Sequence, residues 1–379
     1  MGPDDRQKQD DSASIRPSLA LPFLWPLLAA ASATAATASF LADIAKSASD
    51  SAEAPGPIWA SQNKVRLKLA SMRLRDFSTQ PEGFPVVLCA PYALHEATVV
   101  DFAPGHSIVE ALKGAGHDRL FVTDWRSATR EMRYFSINNY LADLNIAVDE
   151  IKPPVDLVGL CQGGWLALTY AARFPEKVRR LVLVGAPVDT DAGNSSLSRM
   201  VRDVPVGAFE TLVQFGEGRV LGKHVLESWG VLLAADDTKK TLQVPADIDP
   251  ARYRELNRRF QAWNAATVDL PGTYYLQVIE KLYKENQIAQ GQFIALGKRI
   301  SLADIKMPIF LLGARDDELV PPEQLFAVAQ LIGTPKALIE MANEPCGHLS
   351  LFLGRKTLVG VWKHIARWLS SDSSIAKPS

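Results

Sequence analysis

The chain has 379 residues, of which 47% are hydrophobic, and a formal net charge of −1. This length and composition fit one large α/β domain with an insertion, and the near-neutral charge argues against a nucleic-acid partner. The three cysteines, Cys89, Cys161 and Cys346, form no C-x-x-C pair, so neither a zinc site nor a disulfide framework is indicated. A reducing compartment suits a reactive thiol, and we expect the chain in the cytoplasm.

The first 57 residues differ in character from the rest. Residues 1–17 are polar and lack the positively charged start of a secretory signal. Residues 17–45 are apolar and long enough to span a membrane, but Pro22 and Pro26 interrupt them and their second half is only weakly hydrophobic. We expect this segment to dock on a lipid or polymer surface. A flexible linker at 47–57 follows it.

Strands and helices alternate through most of the remaining chain. The pattern predicts strands near 65–75, 86–90, 119–123, 155–159, 180–185, 308–313 and 336–341, and helices near 106–115, 137–151, 162–173, 322–332 and 357–370. Such alternation indicates a mainly parallel sheet covered by helices on both faces. We assign residues 58–187 and 301–379 to the two parts of this α/β core.

Residues 188–300 interrupt the core, because the strand pattern disappears there and helical, aromatic stretches replace it. An insertion at this point is expected to lie over the active site as a cap or lid. Its aromatic residues recur at helical spacing, which favours the interior of the cap over contacts with a substrate. They are Phe260, Trp263, Tyr274, Tyr275 and Tyr283.

The stretch VDLVGLCQGGWLAL, residues 155–168, has the pattern Gly-x-Cys-x-Gly centred on Cys161. An apolar run precedes the cysteine and helix formers follow it, so a buried strand must turn sharply into a helix. Gly159 and Gly163 suit such a strained elbow, whose neighbours leave almost no room for a Cβ. The turn would present Cys161 at a helix N-terminus, whose dipole favours a thiolate nucleophile. The alternative is a buried structural cysteine with incidental glycines.

A nucleophile that attacks an acyl group needs two backbone N–H groups to hold the oxyanion. One belongs to the residue after the nucleophile, Gln162, and the other to a loop after an earlier strand. The strand at 86–90 runs into a loop that begins with Pro91. We expect the second donor to be the N–H of Tyr92 or of Ala93.

An elbow nucleophile of this kind is followed along the chain first by an acid and then by a histidine. The strand at 308–313 leads into a loop with Asp316 and Asp317, and we choose Asp317 as the acid because it lies four residues before the proline that opens the next helix. We interpret Asp316 as part of a solvated turn. The strand at 336–341 leads into a loop with His348, which we predict to be the general base.

The remaining histidines and cysteines have no comparable setting. Cys89 is expected in the core beneath the oxyanion loop, and Cys346 beside His348 without a catalytic role. Most of the other histidines are expected to be surface or core residues; they are His95, His106, His117, His224 and His364.

Together these motifs resemble the poly(3-hydroxyalkanoate) synthase family, and most of all its short form that works with a partner subunit. The resemblance extends over about residues 60–370 and includes GLCQGGWLALTYAARFPEKVRRLVLVGAPVD at the elbow, YALHEATVVDFAPGHSIVEALKGAGHDRLFVTDWR after the oxyanion strand, WNAATVDLPGTYYLQVIEKLYKENQI in the insertion, and ARDDELVPPE and CGHLSLFLGRK at the acid and base loops. It implies an α/β-hydrolase fold, with Cys161 as the acyl-carrying nucleophile, His348 as its base and Asp317 as the third member of the triad.

The resemblance also implies the reaction and its partners. A 3-hydroxyacyl-CoA thioester would be the substrate, without a cofactor or metal, and a growing polyester chain would receive the acyl group. A synthase partner subunit and a homodimer formed through the cap are the protein partners that it suggests. The segment at 17–45 lies outside this resemblance, and its association with a polyester granule or a membrane surface is expected from its composition alone.

Two departures from the family pattern bear on this interpretation. Many synthases have Trp-Asn-x-Asp in the cap, where this chain has WNAA ending at Ala266. TDWR at 123–126 and LSLFLGRK after His348 also resemble intracellular polyester depolymerases, in which Gln-Pro usually follows the nucleophile. The chain has Gln162-Gly163-Gly164 instead, which favours the synthase. The alternatives are a depolymerase or thioesterase with the same Cys-His-Asp triad, and a noncatalytic granule-associated protein.

Overall fold

An eight-stranded sheet forms the centre of the computed structural model, which describes residues 56–223 and 238–371. Its strands are β1 (Lys64–Lys68), β2 (Met72–Asp76), β3 (Val86–Cys89), β4 (Leu120–Trp125), β5 (Val155–Leu160), β6 (Val178–Val184), β7 (Ile309–Ala314) and β8 (Ile339–Glu344). They lie in the order β1-β2-β4-β3-β5-β6-β7-β8. The last six in this order are parallel, whereas β1 and β2 pair in antiparallel fashion. The predicted mainly parallel sheet is therefore confirmed.

Helices connect these strands and cover the sheet. In chain order they are α1 (Ile108–Lys113), α2 (Ile137–Glu150), α3 (Gln162–Arg173), α4 (Ser196–Asp203), α5 (Val206–Phe215), α6 (Thr238–Leu242), α7 (Pro250–Ala265), α8 (Gly272–Gln277), α9 (Pro322–Phe326), α10 (Val328–Leu331), α11 (Ser350–Leu353), α12 (Arg355–Val359) and α13 (Val361–Ser370). Helix α8 continues as a π-helix over Val278–Lys284. None of the helices in the described residues is long and apolar enough to cross a membrane.

Three predicted elements are divided in the structure. The strand expected at 65–75 is two antiparallel strands, β1 and β2, because the chain turns where the Leu69 N–H donates to the Met72 carbonyl. The buried Ser71 hydroxyl at this turn donates to Asp143 on α2 over 2.5 Å. The helix expected at 357–370 is interrupted at Gly360, whose backbone angles are not helical, and that expected at 322–332 is interrupted at Ala327.

The insertion segment, residues 188–300, lies between β6 and β7 and adds no strand to the central sheet within its described part. Its described part consists of α4 to α8 and the π-helix, with short antiparallel pairs between Arg219–Val220 and Leu270–Pro271 and between Ile294–Ala295 and Lys298–Arg299. The six parallel strands bring their carboxyl ends to one edge of the sheet. Residues of the insertion segment line a cavity there together with residues of the core.

The core consists of strands buried on both faces and of the helices packed on them. Strands β3, β4, β5 and β7 are buried along their whole length, as expected for central strands of a parallel sheet. The predicted surface-docking segment at 17–45, His224 and almost all of the linker at 47–57 lie outside the described residues.

Candidate active site

Cys161 is the single residue between strand β5 and helix α3. Its backbone angles are φ 50° and ψ −120°, a conformation that is unfavourable for a residue with a side chain. The Cys161 N–H donates to the Val184 carbonyl at the end of β6 over 2.8 Å, and its own carbonyl accepts from the Gly164 N–H over 2.8 Å. These bonds hold the sharp turn from both sides.

Three glycines let helix α3 approach the sheet closely enough to form this turn. A Cβ at Gly163 would overlap the carbonyl oxygens of Cys89 and Ala90, and one at Gly164 would overlap the Cβ of Ala186. A Cβ at Gly159 would lie only 2.6 Å from the Cα of Gly164. The sequence pattern drew attention to Gly159 and Gly163, and the structure adds Gly164 as a third position without space for a side chain.

His348 and Asp317 meet beside the elbow, although they come from loops after β8 and β7. The imidazole Nδ1 lies 2.6 Å from the Asp317 carboxylate Oδ2. Oδ1 of this carboxylate accepts the N–H groups of Leu319 and Val320 over 3.0 and 2.9 Å. These bonds fix the buried carboxylate toward the imidazole, whereas Asp316 is exposed.

The electrostatics of His348 follow from its burial and its two neighbours. Burial alone would lower the pKa of His348, but the charges of Asp317 and Cys161, and hydrogen bonds to both side chains, raise the pKa of His348 well above its ordinary value. Because Asp317 occupies Nδ1, Nε2 is the ring atom left for the Cys161 thiol. The arrangement therefore joins a thiol, an imidazole and a carboxylate in one chain of contacts.

The predicted oxyanion donors lie around the same space as the thiol. Tyr92, Ala93 and Gln162 line one cavity with Cys161 and His348. The N–H of Gln162 belongs to the first turn of α3, where backbone donors have no partner within the helix. Both Tyr92 and Ala93 border the cavity, and their N–H groups are the two predicted candidates for the second donor.

The Gln162 side chain connects the elbow to the insertion segment, a feature that the sequence analysis missed. Its amide nitrogen donates to the Tyr283 hydroxyl over 3.1 Å, and its amide oxygen accepts from the Trp165 indole over 2.6 Å. Burial raises the pKa of Tyr283. Tyr283 is therefore a neutral hydrogen-bonding group that holds the residue beside the nucleophile.

The cavity has a volume of about 200 Å³ and is partly open to solvent. Its walls are mostly apolar and come from both the core and the insertion segment. All five aromatic residues expected in the interior of the insertion are buried there. Four of them, Trp263, Tyr274, Tyr275 and Tyr283, also line the cavity, so these residues belong both to the interior of the insertion and to the cavity wall.

His95 also differs from the surface or core residue that the sequence suggested. It lines the cavity and stacks on Trp263 of helix α7, with ring centroids 4.6 Å apart and an interplanar angle of 24°. Burial lowers the pKa of His95, against hydrogen bonds to Asn264 and Ala93 that raise it. The ring is therefore neutral near pH 7.

The other described histidines lie away from the cavity wall. His106 and His117 form hydrogen bonds with the backbone carbonyls of Leu353 and Ala366, and His364 pairs with Glu340. Over residues 56–223 and 238–371, no group of three or more His, Cys, Asp or Glu side chains is placed to hold a metal ion.

The elbow, the loop order and the parallel sheet define a class of protein. The family model described as alpha/beta hydrolase fold matches residues 105–355, which is more than half of the chain. The chain belongs to the alpha/beta hydrolase fold family.

Solved structures agree on the fold. A monoacylglycerol lipase from Paleococcus ferrophilus has a TM-score of 0.51 at 16% identity, covering 79% of this chain and 98% of the lipase. An epoxide hydrolase from Bacillus megaterium has a TM-score of 0.53 at 12% identity, covering 82% of this chain and all of the hydrolase (100%). At such low identity these likenesses concern the fold alone.

Relatives identified by sequence indicate a narrower family than the solved structures do. The chain is 25% identical over 347 residues to the poly(3-hydroxyalkanoate) polymerase subunit PhaC of Haloferax mediterranei, covering 89% of this chain and 70% of that protein. It is 28% identical over 302 residues to the protein of the same name from Allochromatium vinosum, covering 76% of this chain and 82% of that protein. The resemblance to this family that the motifs suggested is confirmed.

We predict that Gly163→Ala disrupts the elbow, because its new Cβ would overlap the backbone carbonyl oxygens of Cys89 and Ala90. The free energy of unfolding should fall by more than about 2 kcal/mol. Gly207→Ala is the matched control, because no atom lies within 4 Å of its Cβ and position 207 is in helix α5. It should be neutral or stabilising by up to about 1 kcal/mol. Chemical denaturation measures both, and equal effects would contradict the close packing described above.

The raised pKa of His348 predicts a pH dependence with a definite sign. The folded state holds the proton on His348 more tightly than the unfolded chain does. The stabilisation of the fold by protonated His348 is therefore fully present below the unfolded pKa of about 6.5 and is lost as pH rises through the folded pKa. The stability advantage of the native chain over Asp317→Asn should therefore be larger at about pH 6 than at alkaline pH.

The ring itself supplies the direct measurement of this effect. An NMR titration of His348 should give a pKa lower by about 1 to 3 in Asp317→Asn, because the substitution removes the neighbouring charge. Asp316→Asn is the control, since Asp316 is exposed and should leave the titration almost unchanged. An unchanged pKa in Asp317→Asn would contradict the electrostatic account.

Proposed function

We propose that this chain is a poly(3-hydroxyalkanoate) synthase, which transfers 3-hydroxyacyl groups from coenzyme A to a growing polyester through an acyl thioester on Cys161. The observation that carries the proposal is a cysteine at the strained elbow beside the His348–Asp317 pair. The relatives named as poly(3-hydroxyalkanoate) polymerase subunits support the same reaction. The proposal treats Cys161, His348 and Asp317 as the catalytic triad.

The acylation step follows from the placement of the groups. His348 takes the Cys161 thiol proton, and the sulfur attacks the thioester carbonyl of a 3-hydroxyacyl-CoA. The N–H of Gln162, with that of Tyr92 or Ala93, stabilises the negative oxygen of the tetrahedral intermediate. The carbon–sulfur bond to coenzyme A then breaks, and the leaving thiolate receives the proton from His348.

A cysteine nucleophile suits transfer to an alcohol better than a serine does. Acylation exchanges one thioester for another, so little free energy is lost and the acyl group stays activated. A serine would form an oxygen ester, which is a more stable and less reactive intermediate. The thiolate is also the stronger nucleophile.

Elongation uses the same groups in a second cycle. The hydroxyl of the growing chain loses its proton to His348 while its oxygen attacks the acyl carbonyl on Cys161. An oxygen ester forms, the carbon–sulfur bond breaks, and the thiolate of Cys161 recovers the proton. Asp317 orients the imidazole in both halves of the cycle.

The insertion segment acts in this proposal as a cap that keeps water from the acyl enzyme. Trp263, Tyr274 and Tyr283 give the cavity an apolar wall beside Cys161. Water is the competing acceptor, and hydrolysis would differ from polymerisation only in which oxygen reaches the carbonyl. An apolar cavity favours the acyl chain and its hydroxyl end over water.

The remaining partners belong to the same proposal. The reaction needs no cofactor or metal, because the activated bond is supplied by the coenzyme A thioester. We assign a synthase partner subunit and a homodimer as the protein partners, and a cytoplasmic polyester granule or membrane surface as the site of action, through residues 17–45.

Product analysis tests the proposal. Purified protein is incubated with 3-hydroxybutyryl-CoA while free coenzyme A is measured and the acyl product is identified by mass spectrometry. We predict coenzyme A release together with ester-linked oligomers, and loss of both by at least about a thousandfold in Cys161→Ala. Free 3-hydroxybutyrate without oligomers would identify a hydrolase, and equal release from Cys161→Ala would contradict the assigned nucleophile. Asp316→Ala, an exposed neighbour of the triad, serves as the control that keeps activity.

A further inference from the structure

The loop that carries the second oxyanion donor contains a strained residue. Leu94, directly after Ala93, has φ 70°, the left-handed region that favours glycine. Its side chain is buried and lines the cavity. A leucine remains in this conformation only when its surroundings hold it there.

A short piece of the insertion segment supplies that restraint. The Leu94 carbonyl accepts the Val268 N–H over 2.9 Å, and His95 forms an antiparallel bridge with Thr267. The Trp263 indole donates to the Glu96 carbonyl over 3.1 Å. We call this set of contacts between residues 94–96 and 263–268 the loop seam.

His95 adds two side-chain contacts to the loop seam. Its Nε2 lies 3.2 Å from the carbonyl oxygen of Asn264, which as an acceptor fixes the proton on Nε2. Its ring stacks on Trp263 at 4.6 Å. A ring held by both a hydrogen bond and a stack has little freedom to rotate, so the backbone at 93–95 is held with it.

Ala266 lies at the end of helix α7 and donates its N–H to the carbonyls of Ala262 and Trp263, with no polar side chain to reach the core loop. Polar side-chain contacts across this junction come from His95 on the core side and from Trp263 on the insertion side.

We propose that His95 is a positioning residue, which through the loop seam holds the strained 92–94 backbone where its N–H stabilises the oxyanion at Cys161. The inference rests on the proposed function only in requiring an acyl intermediate on Cys161, which transfer and hydrolysis share. His95 acts through the backbone of Tyr92 and Ala93, without itself reacting with the acyl group. Formation of the acyl enzyme therefore depends on a contact outside the triad.

Two reactions of the same thiol separate this role from a merely structural one. Acylation by 4-nitrophenyl butyrate develops an oxyanion and releases 4-nitrophenolate in a burst, whichever natural acyl group the enzyme uses. Alkylation of Cys161 by iodoacetamide displaces iodide at a saturated carbon and develops no oxyanion. The rate of acylation divided by the rate of alkylation therefore reports the oxyanion donors rather than the thiol.

We predict that His95→Ala lowers the burst rate at least about tenfold while the alkylation rate of Cys161 stays within about twofold. The basis is that loss of a whole oxyanion donor costs about a hundred- to a thousandfold in rate, and displacement costs part of that. His95→Gln keeps an N–H donor for Asn264 and should recover most of the burst rate. His117→Ala is the matched control, because His117 also binds a backbone carbonyl, that of Ala366, far from the cavity wall.

Other results would overturn the proposal. An unchanged burst rate in His95→Ala, or an equal fall in burst and alkylation, would show that the loop seam does not position the donor. If His95→Ala does not fold, Trp263→Phe removes the indole bond to Glu96 while keeping an aromatic ring beside His95, and it should still lower the burst rate selectively. Failure of the synthase proposal would appear separately, as free 3-hydroxy acid from the native enzyme with the His95 effect intact.

Discussion

The site depends on one packing constraint, the absence of side-chain atoms where helix α3 meets the sheet. Gly163 lies against the backbone carbonyls that end β3, and Gly164 lies against Ala186 after β6. Only this approach lets Cys161 hold its unfavourable backbone conformation at the edge of the sheet. The thiol, the helix N-terminus and the cavity wall take their positions from that contact.

A second constraint, burial of charge, organises the groups around the thiol. Asp317 is buried, and two backbone N–H groups and the His348 imidazole satisfy its carboxylate. A buried carboxylate without these partners would be costly, so the loop after β7 folds around it. The insertion segment completes the surroundings of the Cys161 thiol, because Tyr283 binds Gln162 and Trp263 packs on His95.

Much of the fold was accessible from the sequence, because it depends on local patterns. Apolar runs and their spacing predicted the parallel strands, and the glycines around Cys161 predicted the elbow. The prediction failed where the chain turns between β1 and β2, because the Leu69 N–H bond to the Met72 carbonyl and the Ser71 bond to Asp143 left no pattern in the sequence. Gly360 divides the last helix in a similar way.

The candidate site could be predicted in part from the sequence, for the same reason. The chain order of nucleophile, acid and base pointed to three residues that the structure brings together, and their catalytic roles remain the proposal made above. Contacts between distant segments left no sequence signal, and the pairs Gln162–Tyr283 and His95–Trp263 are of this kind. A histidine in a loop gave no sign that it would stack on a tryptophan far along the chain, because only the folded insertion brings the two rings together.

The central claim is a covalent 3-hydroxyacyl thioester on Cys161, and acid quenching during turnover of 3-hydroxybutyryl-CoA tests it most directly. Peptide mass spectrometry should locate the 3-hydroxybutyryl mass on the peptide that contains Cys161. Neutral hydroxylamine should remove it, because it cleaves thioesters far faster than oxygen esters. An acyl group that resists hydroxylamine, that lies on another residue, or that is absent while coenzyme A is released would contradict the account.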